Sequence, residues 1–327
     1  MAIEHIFDQI GGFGRVQVLL ILWVYSMKFM IAWSTMLLSF ASFKNQYACV
    51  VDSVFNQSEL EILDEAEVWS IAKRGFNNES LIDVCEVDGV SCQSFYFFGT
   101  KRTITSEWNL VCDLRWMKAT ITSIQFVGSV VGAIIGGQSG DYFGRKKTLY
   151  GSYLLHSIFN VIAAFSVSWQ MFAVLRFLIG VTIGSVLVMI VPYSTEFFPI
   201  KWRHVIPPVP MWSFGVCAFA MAAWLLEDWA DLHLACALLG IPGLLGYFYI
   251  PESPRWLATQ GREEEAHAAL TKMARFNGKQ LPATARETIQ RIALEEKKTG
   301  KGKDYSYLDL FKNRDSIKIT VIAGFQW

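Results

Sequence analysis

Net charge is the first thing this sequence lacks: 29 lysines and arginines are matched by 29 aspartates and glutamates. A chain with no overall basic field has no general pull on a polyanion, so nucleic acid is not an expected partner. The residue constellations of an enzyme are also missing. There is no metal-ligand cluster, phosphate-cradling glycine loop or nucleophile–base pair at an interpretable spacing, so neither catalysis nor a cofactor nor a bound metal is expected. Charge is scarce in a further way, because it is confined to blocks between long apolar runs. With 53% hydrophobic residues, including 24 Phe and 12 Trp, this is the patterning of a membrane protein.

A helix crossing the bilayer needs about 20 mostly apolar residues. Six stretches meet that requirement: 17–41, 119–138, 148–167, 171–193, 205–226 and 232–250. A seventh starts near Ile317 and runs to Trp327. The first run is too long and too late for a cleaved secretory signal, so it is expected to be a retained span. The expected organisation is a cytoplasmic N-terminus (1–16), span one (17–41), a large outer loop (42–118), spans two to six (119–250), a cytoplasmic helical segment (251–316) and the start of a seventh span (317–327).

Orientation follows from the cations, which collect on the cytoplasmic side of span ends. Arg145, Lys146 and Lys147 separate spans two and three, and Lys201, Arg203 and His204 separate spans four and five. The loop between spans five and six is acidic instead, with Glu227, Asp228 and Asp231. This places the N-terminus in the cytoplasm and the loop between spans one and two outside. That loop holds Cys49, Cys85, Cys92 and Cys112, four of the six cysteines. Outside the cell they can form two disulfides, in three possible connectivities. It also holds two glycosylation acceptors, Asn56 and Asn78, each two residues before a serine. Cys217 and Cys236 fall inside spans and are expected to be reduced packing residues.

After span six, Glu263 to Phe276 has helical periodicity, with Ala266, Leu270 and Met273 on one face and Gly278 just past its end. Thr284 and Glu287 have capping-box spacing before a second helix containing Ile289 and Ile292. The segment is expected to be an amphipathic connector lying on the membrane or on the bundle.

Between spans two and three stands Gly137-Gln138-Ser139-Gly140-Asp141-Tyr142-Phe143-Gly144-Arg145. Small residues allow close helix approach, Asp141 can pair with a cation at the helix end, and Gly144 permits a sharp turn. This string resembles the loop motif of the major facilitator superfamily. The resemblance implies a latch between Asp141 and Arg145 that stabilises the outward-facing state, although Ser139 stands where that motif prefers leucine. Three further segments are similar to the same superfamily: Arg176-Phe177-Leu178-Ile179-Gly180 in span four, Tyr193-Ser194-Thr195-Glu196 followed by Arg203, and Pro251-Glu252-Ser253-Pro254-Arg255-Trp256-Leu257 after span six. The outer-loop string Thr105-Ser106-Glu107-Trp108-Asn109-Leu110-Val111-Cys112-Asp113, with Gly11-Gly12-Phe13-Gly14-Arg15 at the start, resembles the organic cation, organic anion and carnitine transporters.

The resemblance implies an all-α membrane protein: the N-terminal six-helix half of a major facilitator fold plus the start of a seventh span. The C-terminal six-helix half is expected as its partner. It further implies a multi-pass plasma-membrane carrier that moves small organic ions by alternating access. A sugar-type porter and a non-transporting six-span protein are the alternative readings. A gating network is expected from Gly137, Asp141, Gly144, Arg145, Arg176, Glu196, Arg203, Glu252 and Arg255. For Arg176, a hydrogen-bonding hub and a direct contact to substrate or proton are both open, since a buried arginine must face the protein interior. Tyr25, Lys28 and Thr35 fall near one face of span one and are the substrate-binding candidates, with Lys28 favouring anionic or zwitterionic substrates if it faces the cavity. An internal ion pair or snorkelling would occupy Lys28 otherwise. His156 is expected to be a packed, hydrogen-bonded histidine rather than a proton carrier. Span five opens on Pro207, Pro208 and Pro210, which mark either a gate hinge or a late helix start. The orientation is checked by epitope tags at Asn78 and Lys298: accessibility from opposite sides of the membrane is expected, and labelling from one side refutes the layout.

Overall fold

The computed structural model describes residues 2–43, 45–50, 63–75, 80–87, 90–92, 94–203, 210–298 and 317–318. The acceptors Asn56 and Asn78 lie outside these residues, as does all of the seventh run beyond Lys318. The chain divides into two compact units, 13–252 and the pair of segments 1–12 and 253–327.

The larger unit is a bundle of six helices with a folded module between the first two. Helix α2 runs Arg15–Ala41, α5 Met117–Tyr142, α6 Arg145–Ala164, α7 Trp169–Thr195, α9 Met211–Leu225 and α10 Trp229–Tyr249. Among the described residues, four helical stretches are long and apolar enough to cross a membrane: Arg15–Ala41, Cys112–Phe143, Trp169–Thr195 and Trp229–Tyr249; Met211–Leu225 is a shorter apolar helix. It starts later than the apolar run, with Pro210 as its N-cap. Proline has no N–H to continue a ladder, which suits it to a helix start and not an interior. Residues 204–209, with Pro207 and Pro208, lie outside the described residues. A four-residue helix, α8 (Ile200–Arg203), follows α7.

The tightest seam in the bundle joins α5 to α7. Helix α5 buries Ile121 and Gln125, then Gly128, Gly132, Gly136 and Gly140 at four-residue intervals. A methyl group on Gly132 would stand 1.9 Å from the Val181 carbonyl oxygen, and one on Gly184 of α7 would stand 1.9 Å from that of Ser129. Backbone therefore touches backbone in both directions, which only glycine permits. The rest of α5 exposes Phe126, Val127, Val130, Ile134 and Ile135. For a helix in hydrocarbon this is the expected division, because lipid solvates large apolar side chains as well as a protein interior does.

The long connection between α2 and α5 is a small folded module rather than an irregular one. Strand β1 (Tyr47–Val50) pairs antiparallel with β4 (Ser94–Phe97), matching Tyr47 to Phe97 and Val50 to Ser94. Strands β2 (Glu86–Val87) and β3 (Val90–Ser91) form a second pair. Helix α3 (Glu65–Arg74) is capped by Asp64, which accepts the Glu67 N–H at 2.7 Å. Its Val68 and Ala72 pack with Ala48, Cys49, Leu81, Val87 and Phe98 into a core of the module's own. Of the three possible connectivities, Cys49 joins Cys92 and Cys85 joins Cys112. Cys217 and Cys236 are free thiols. The module ends in a short helix, α4 (Ile104–Glu107), capped by Thr103. There Arg102 grips Glu107 at 2.6 Å and Asp228, at the start of α10, at 3.1 Å.

In the smaller unit, α1 (Ala2–Gln9) buries Ile3, Ile6 and Phe7. With it are α11 (Pro254–Thr259), capped by Ser253, α12 (Glu263–Phe276) and α13 (Ala285–Lys298). Ala266, Leu270 and Met273 of α12 are buried, as is Ile289 of α13. Asn277 ties the end of α12 to α1 by donating to the Ile10 carbonyl at 3.0 Å.

The glycine seam makes a prediction. Gly132→Leu is expected to destabilise the chain by about 1–3 kcal/mol or more through overpacking. Gly151→Ala, where a new methyl meets nothing within 4 Å, is expected to be neutral or stabilising by up to about 1 kcal/mol. Thermal unfolding of detergent-purified chain compares the two.

Candidate functional site

Two polar assemblies stand out in the bundle, at different depths. The deeper one is built around Arg176 on α7, which is fully buried. Its Nη1 donates to the Ser34 carbonyl of α2 at 3.4 Å and to Gln125 Oε1 of α5 at 3.2 Å. Its Nη2 donates to His233 Nε2 of α10 at 3.2 Å. The guanidinium carbon lies 5.0 Å from the centre of the Phe172 ring, whose π face favours a cation. No carboxylate pairs with Arg176 among the described residues.

Donor and acceptor bookkeeping then sets the direction of a whole chain of hydrogen bonds. Since Nε2 of His233 accepts from a group that can only donate, its proton is on Nδ1. Nδ1 donates to Asn160 Oδ1 at 2.9 Å. Asn160 Nδ2 donates to His156 Nε2 at 3.2 Å and to the His156 carbonyl at 2.9 Å. His156 Nδ1 must therefore carry its proton and donate to Thr182 Oγ1 at 3.0 Å, and Thr182 donates to the Ile179 carbonyl at 2.7 Å. Both histidines are neutral in this arrangement, and every link points away from the Arg176 cation. Gln125, Asn160, His156, Thr182 and His233 are all buried.

The second assembly lies at the basic end of the bundle, where α5 turns into α6. Gly144 makes the turn with φ +110° and is the N-cap of α6. Arg145 then reaches Asp141 at 2.6 Å and Glu196, at the end of α7, at 3.5 Å. Glu252, just past α10, accepts the backbone N–H of Lys146 at 2.8 Å. A carboxylate at that place satisfies an open donor in the first turn of α6 and meets the positive end of its dipole. Tyr193 of α7 donates to the Pro251 carbonyl at 2.8 Å, which binds the end of α7 to the same segment.

The structure thus brings together Asp141, Gly144, Arg145, Glu196 and Glu252. The other members of the expected network have the following contacts and positions. Arg176 is twenty residues before Glu196 on one helix, about 30 Å away along its axis. Arg203 donates to the Phe198 carbonyl at 3.2 Å. Arg255 pairs with Glu4 of α1 and lies over the Phe7 ring, inside the smaller unit. Gly137 is half-buried, and it is Gly136 and Gly140 whose missing side chains admit α7. On α2, Tyr25 is fully buried, while Lys28 and Thr35 are half-buried. Lys28 Nζ lies 5.5 Å from the centre of the Tyr25 ring, and Thr35 donates to the Ile31 carbonyl at 2.7 Å.

Gln125, Asn160, His233 and the glycines 128, 132 and 136 were not singled out from the sequence. The signals were present: polar residues isolated in apolar runs, and glycine at every fourth position.

A fold of this kind, apolar helices joined by charged turns around a buried arginine, is that of a membrane carrier half. Residues 20–327 match the family model for the sugar (and other) transporters. The bovine solute carrier family 22 member 7 is 34% identical over 229 residues, covering 69% of this chain and 41% of the relative. The human solute carrier family 22 member 7 is 33% identical over 234 residues, covering 70% and 42%. The rat organic cation/carnitine transporter 2 is 34% identical over 231 residues, covering 69% and 40%. Among solved structures, the major facilitator proton:xylose symporter XylE bound to 6-bromo-6-deoxy-D-glucose aligns with TM-score 0.55 at 16% identity, covering 87% of this chain and 54% of that one. The chain belongs to the sugar (and other) transporter family of the major facilitator superfamily, and within it to the organic cation, organic anion and carnitine transporters. These are multi-pass membrane proteins and not enzymes. The chain spans about two fifths of the length of the curated relatives it matches.

The buried chain yields a prediction. Arg176→Met leaves Gln125 and His233 without their donor and is expected to cost about 1–3 kcal/mol for each acceptor left unmet. Adding His233→Phe is expected to cost less than the sum of the two single changes, because each removes the other's partner. Thermal unfolding of the four proteins in one detergent completes the cycle.

Proposed function

We propose that the chain forms the N-terminal half of a carrier that moves small organic ions across the plasma membrane by alternating access, with its N-terminus in the cytoplasm. The observation that carries this reading is the position of Arg145, shared between Asp141 and Glu196 where three helix ends meet. The Asp141 side chain is 70% exposed, and exposed pairs contribute only about 0–1 kcal/mol each. The Asp141 contact is weak enough to break in a transport cycle, and with the more enclosed Arg145–Glu196 pair, 17% and 20% exposed, the cluster supplies the few kcal/mol that bias a two-state equilibrium. Glu252, on the α6 N-terminus, adds a further contact of this type. The glycine seam moves with them as a rigid piece, since its helices have no slack to slide.

The substrate cavity of such a carrier lies near the bilayer midplane, between this half and a second six-helix half. Lys28 and Thr35 supply this half's share. Tyr25 acts from behind, its ring favouring the Lys28 ammonium at one position. A cation there favours organic anions and zwitterions. The stretch Val186 to Val191 of α7 holds no aromatic residue, so it offers no cation–π site for an organic cation. The rat relative's name joins organic cations with carnitine, and of these two substrate classes Lys28 suits the carboxylate of carnitine.

The test is uptake of labelled organic anion, organic cation and carnitine by cells expressing the protein with both halves. Asp141→Asn and Arg145→Ala are expected to lower uptake of every substrate about ten-fold, a loss of about 1.4 kcal/mol of bias. Lys28→Ala is expected to lower anion and carnitine uptake and spare the cation. Wild-type uptake in the two latch variants, at equal surface expression, would remove the alternating-access role of this cluster.

A further inference from the structure

Arg145 and Lys146 are the first two residues of α6, and their contacts reach three other helices. Arg145 holds Asp141 on α5 and Glu196 just past α7. Lys146 meets the end of α10 at two points. Its backbone N–H donates to Glu252 at 2.8 Å, and its ammonium lies 4.3 Å from the centre of the Tyr247 ring. An ammonium is drawn to the face of an aromatic ring, more strongly where water is partly excluded. Lys146 is half-buried, and Tyr247 is 40% exposed.

The ring that carries the ammonium is itself held by α6. A methyl group on Gly240 of α10 would stand 2.8 Å from Tyr153 Oη, and one on Gly246 would stand 2.5 Å from Tyr150 Oη. Tyrosines of α6 thus occupy the space that the glycines of α10 leave open. Tyr153 also donates to the Gly240 carbonyl at 3.2 Å. Tyr150 makes a T-shaped contact with Tyr247, the ring centres 5.6 Å apart. Just beyond α10, the Pro251 carbonyl accepts from Tyr193 of α7 at 2.8 Å. Glu252 is the next residue on this anchored stretch.

We propose that Tyr247 is a positioning residue: its ring seats the Lys146 ammonium and so keeps the Glu252 carboxylate on the N-terminus of α6. The side chain and the backbone of one lysine then hold the end of α10 together, and loss of the ring loosens the hydrogen bond to Glu252. The charged turn has two sides in consequence. Arg145 provides the breakable side, through the exposed Asp141. Lys146 provides the fixed side, because the tyrosines of α6 and the glycines of α10 leave no room for sliding. The assignment of breakable and fixed sides rests on the alternating-access reading above; the seating of Lys146 does not.

The experiment is amide hydrogen exchange of the 327-residue chain, purified in detergent and read residue by residue. Exchange at position 146 is expected to rise about ten-fold in Tyr247→Leu and in Lys146→Gln, and no further in the double variant. Tyr247→Phe and Lys146→Arg keep the ring face and the cation and should exchange as wild type. Lys146→Gln reads the same contact if Tyr247→Leu fails to fold. Unchanged exchange in both Tyr247→Leu and Lys146→Gln would overturn the proposal. So would an equal rise in Tyr247→Phe, which would assign the hold to the hydroxyl, or an equal rise at Ser157 in mid-helix, which would mean general loosening. In cells expressing both halves, Tyr247→Leu is expected to lower uptake about five-fold and Tyr247→Phe to leave it unchanged. Normal uptake beside a faster amide would refute the link to transport and keep the seating of Lys146.

Discussion

A guanidinium cannot be left in hydrocarbon, and in this bundle it is not paired with a carboxylate either. Arg176 is instead surrounded by neutral acceptors from other helices: the Ser34 carbonyl of α2, Gln125 of α5 and His233 of α10. Each of these must be in place for the cation to be tolerated, so one residue sets the relative position of four helices. The requirement propagates, because satisfying Arg176 commits His233 to one tautomer, which commits Asn160, which commits His156. The result is a polar core in which the donors and acceptors of several helices agree on a single arrangement. Apolar packing in lipid could not supply that specificity, since a leucine is as comfortable against an acyl chain as against another leucine.

The second constraint is geometric. Between α5 and α7 the two backbones meet directly at Gly128, Gly132, Gly180 and Gly184, and Gly136 and Gly140 make room for Ser185 and Met189. This brings Gln125 close enough to reach Arg176 and brings Glu196, at the far end of α7, close enough to reach Arg145. The seam therefore connects the deep polar core with the charged turn at the basic end. It is tightly packed in the middle and carries ion pairs at the end, of which Asp141 is the exposed member.

The module between α2 and α5 solves a different problem. It is too small to fold on apolar burial alone, and its core comprises only a few residues such as Val68, Leu81 and Phe98. Two disulfides complete it, closing loops that a short chain could not otherwise hold shut. Through Arg102 it grips both its own Glu107 and Asp228 at the start of α10. Trp108 packs on Phe172 and Trp229, beside the ring that faces Arg176. The module is thereby joined by packing to the same helix ends that carry the deep polar core.

Much of this was legible in the linear order of residues. Apolar run length marked the stretches that become the helices of the bundle, because helix formation in apolar surroundings acts on length and composition. Cation placement, the cysteines and the Gly137–Arg145 string likewise speak locally, and they were enough to identify the family. Other features needed the chain to be folded. The cysteine pairing depended on which loop ends meet. The partners of Arg176 lie up to 142 residues away in sequence. The pairing of Arg255 with Glu4, 251 residues apart, follows from packing that no spacing rule encodes. The reason is the same in each case: secondary structure answers to near neighbours, whereas the satisfaction of a buried polar group answers to whichever helix stands opposite it.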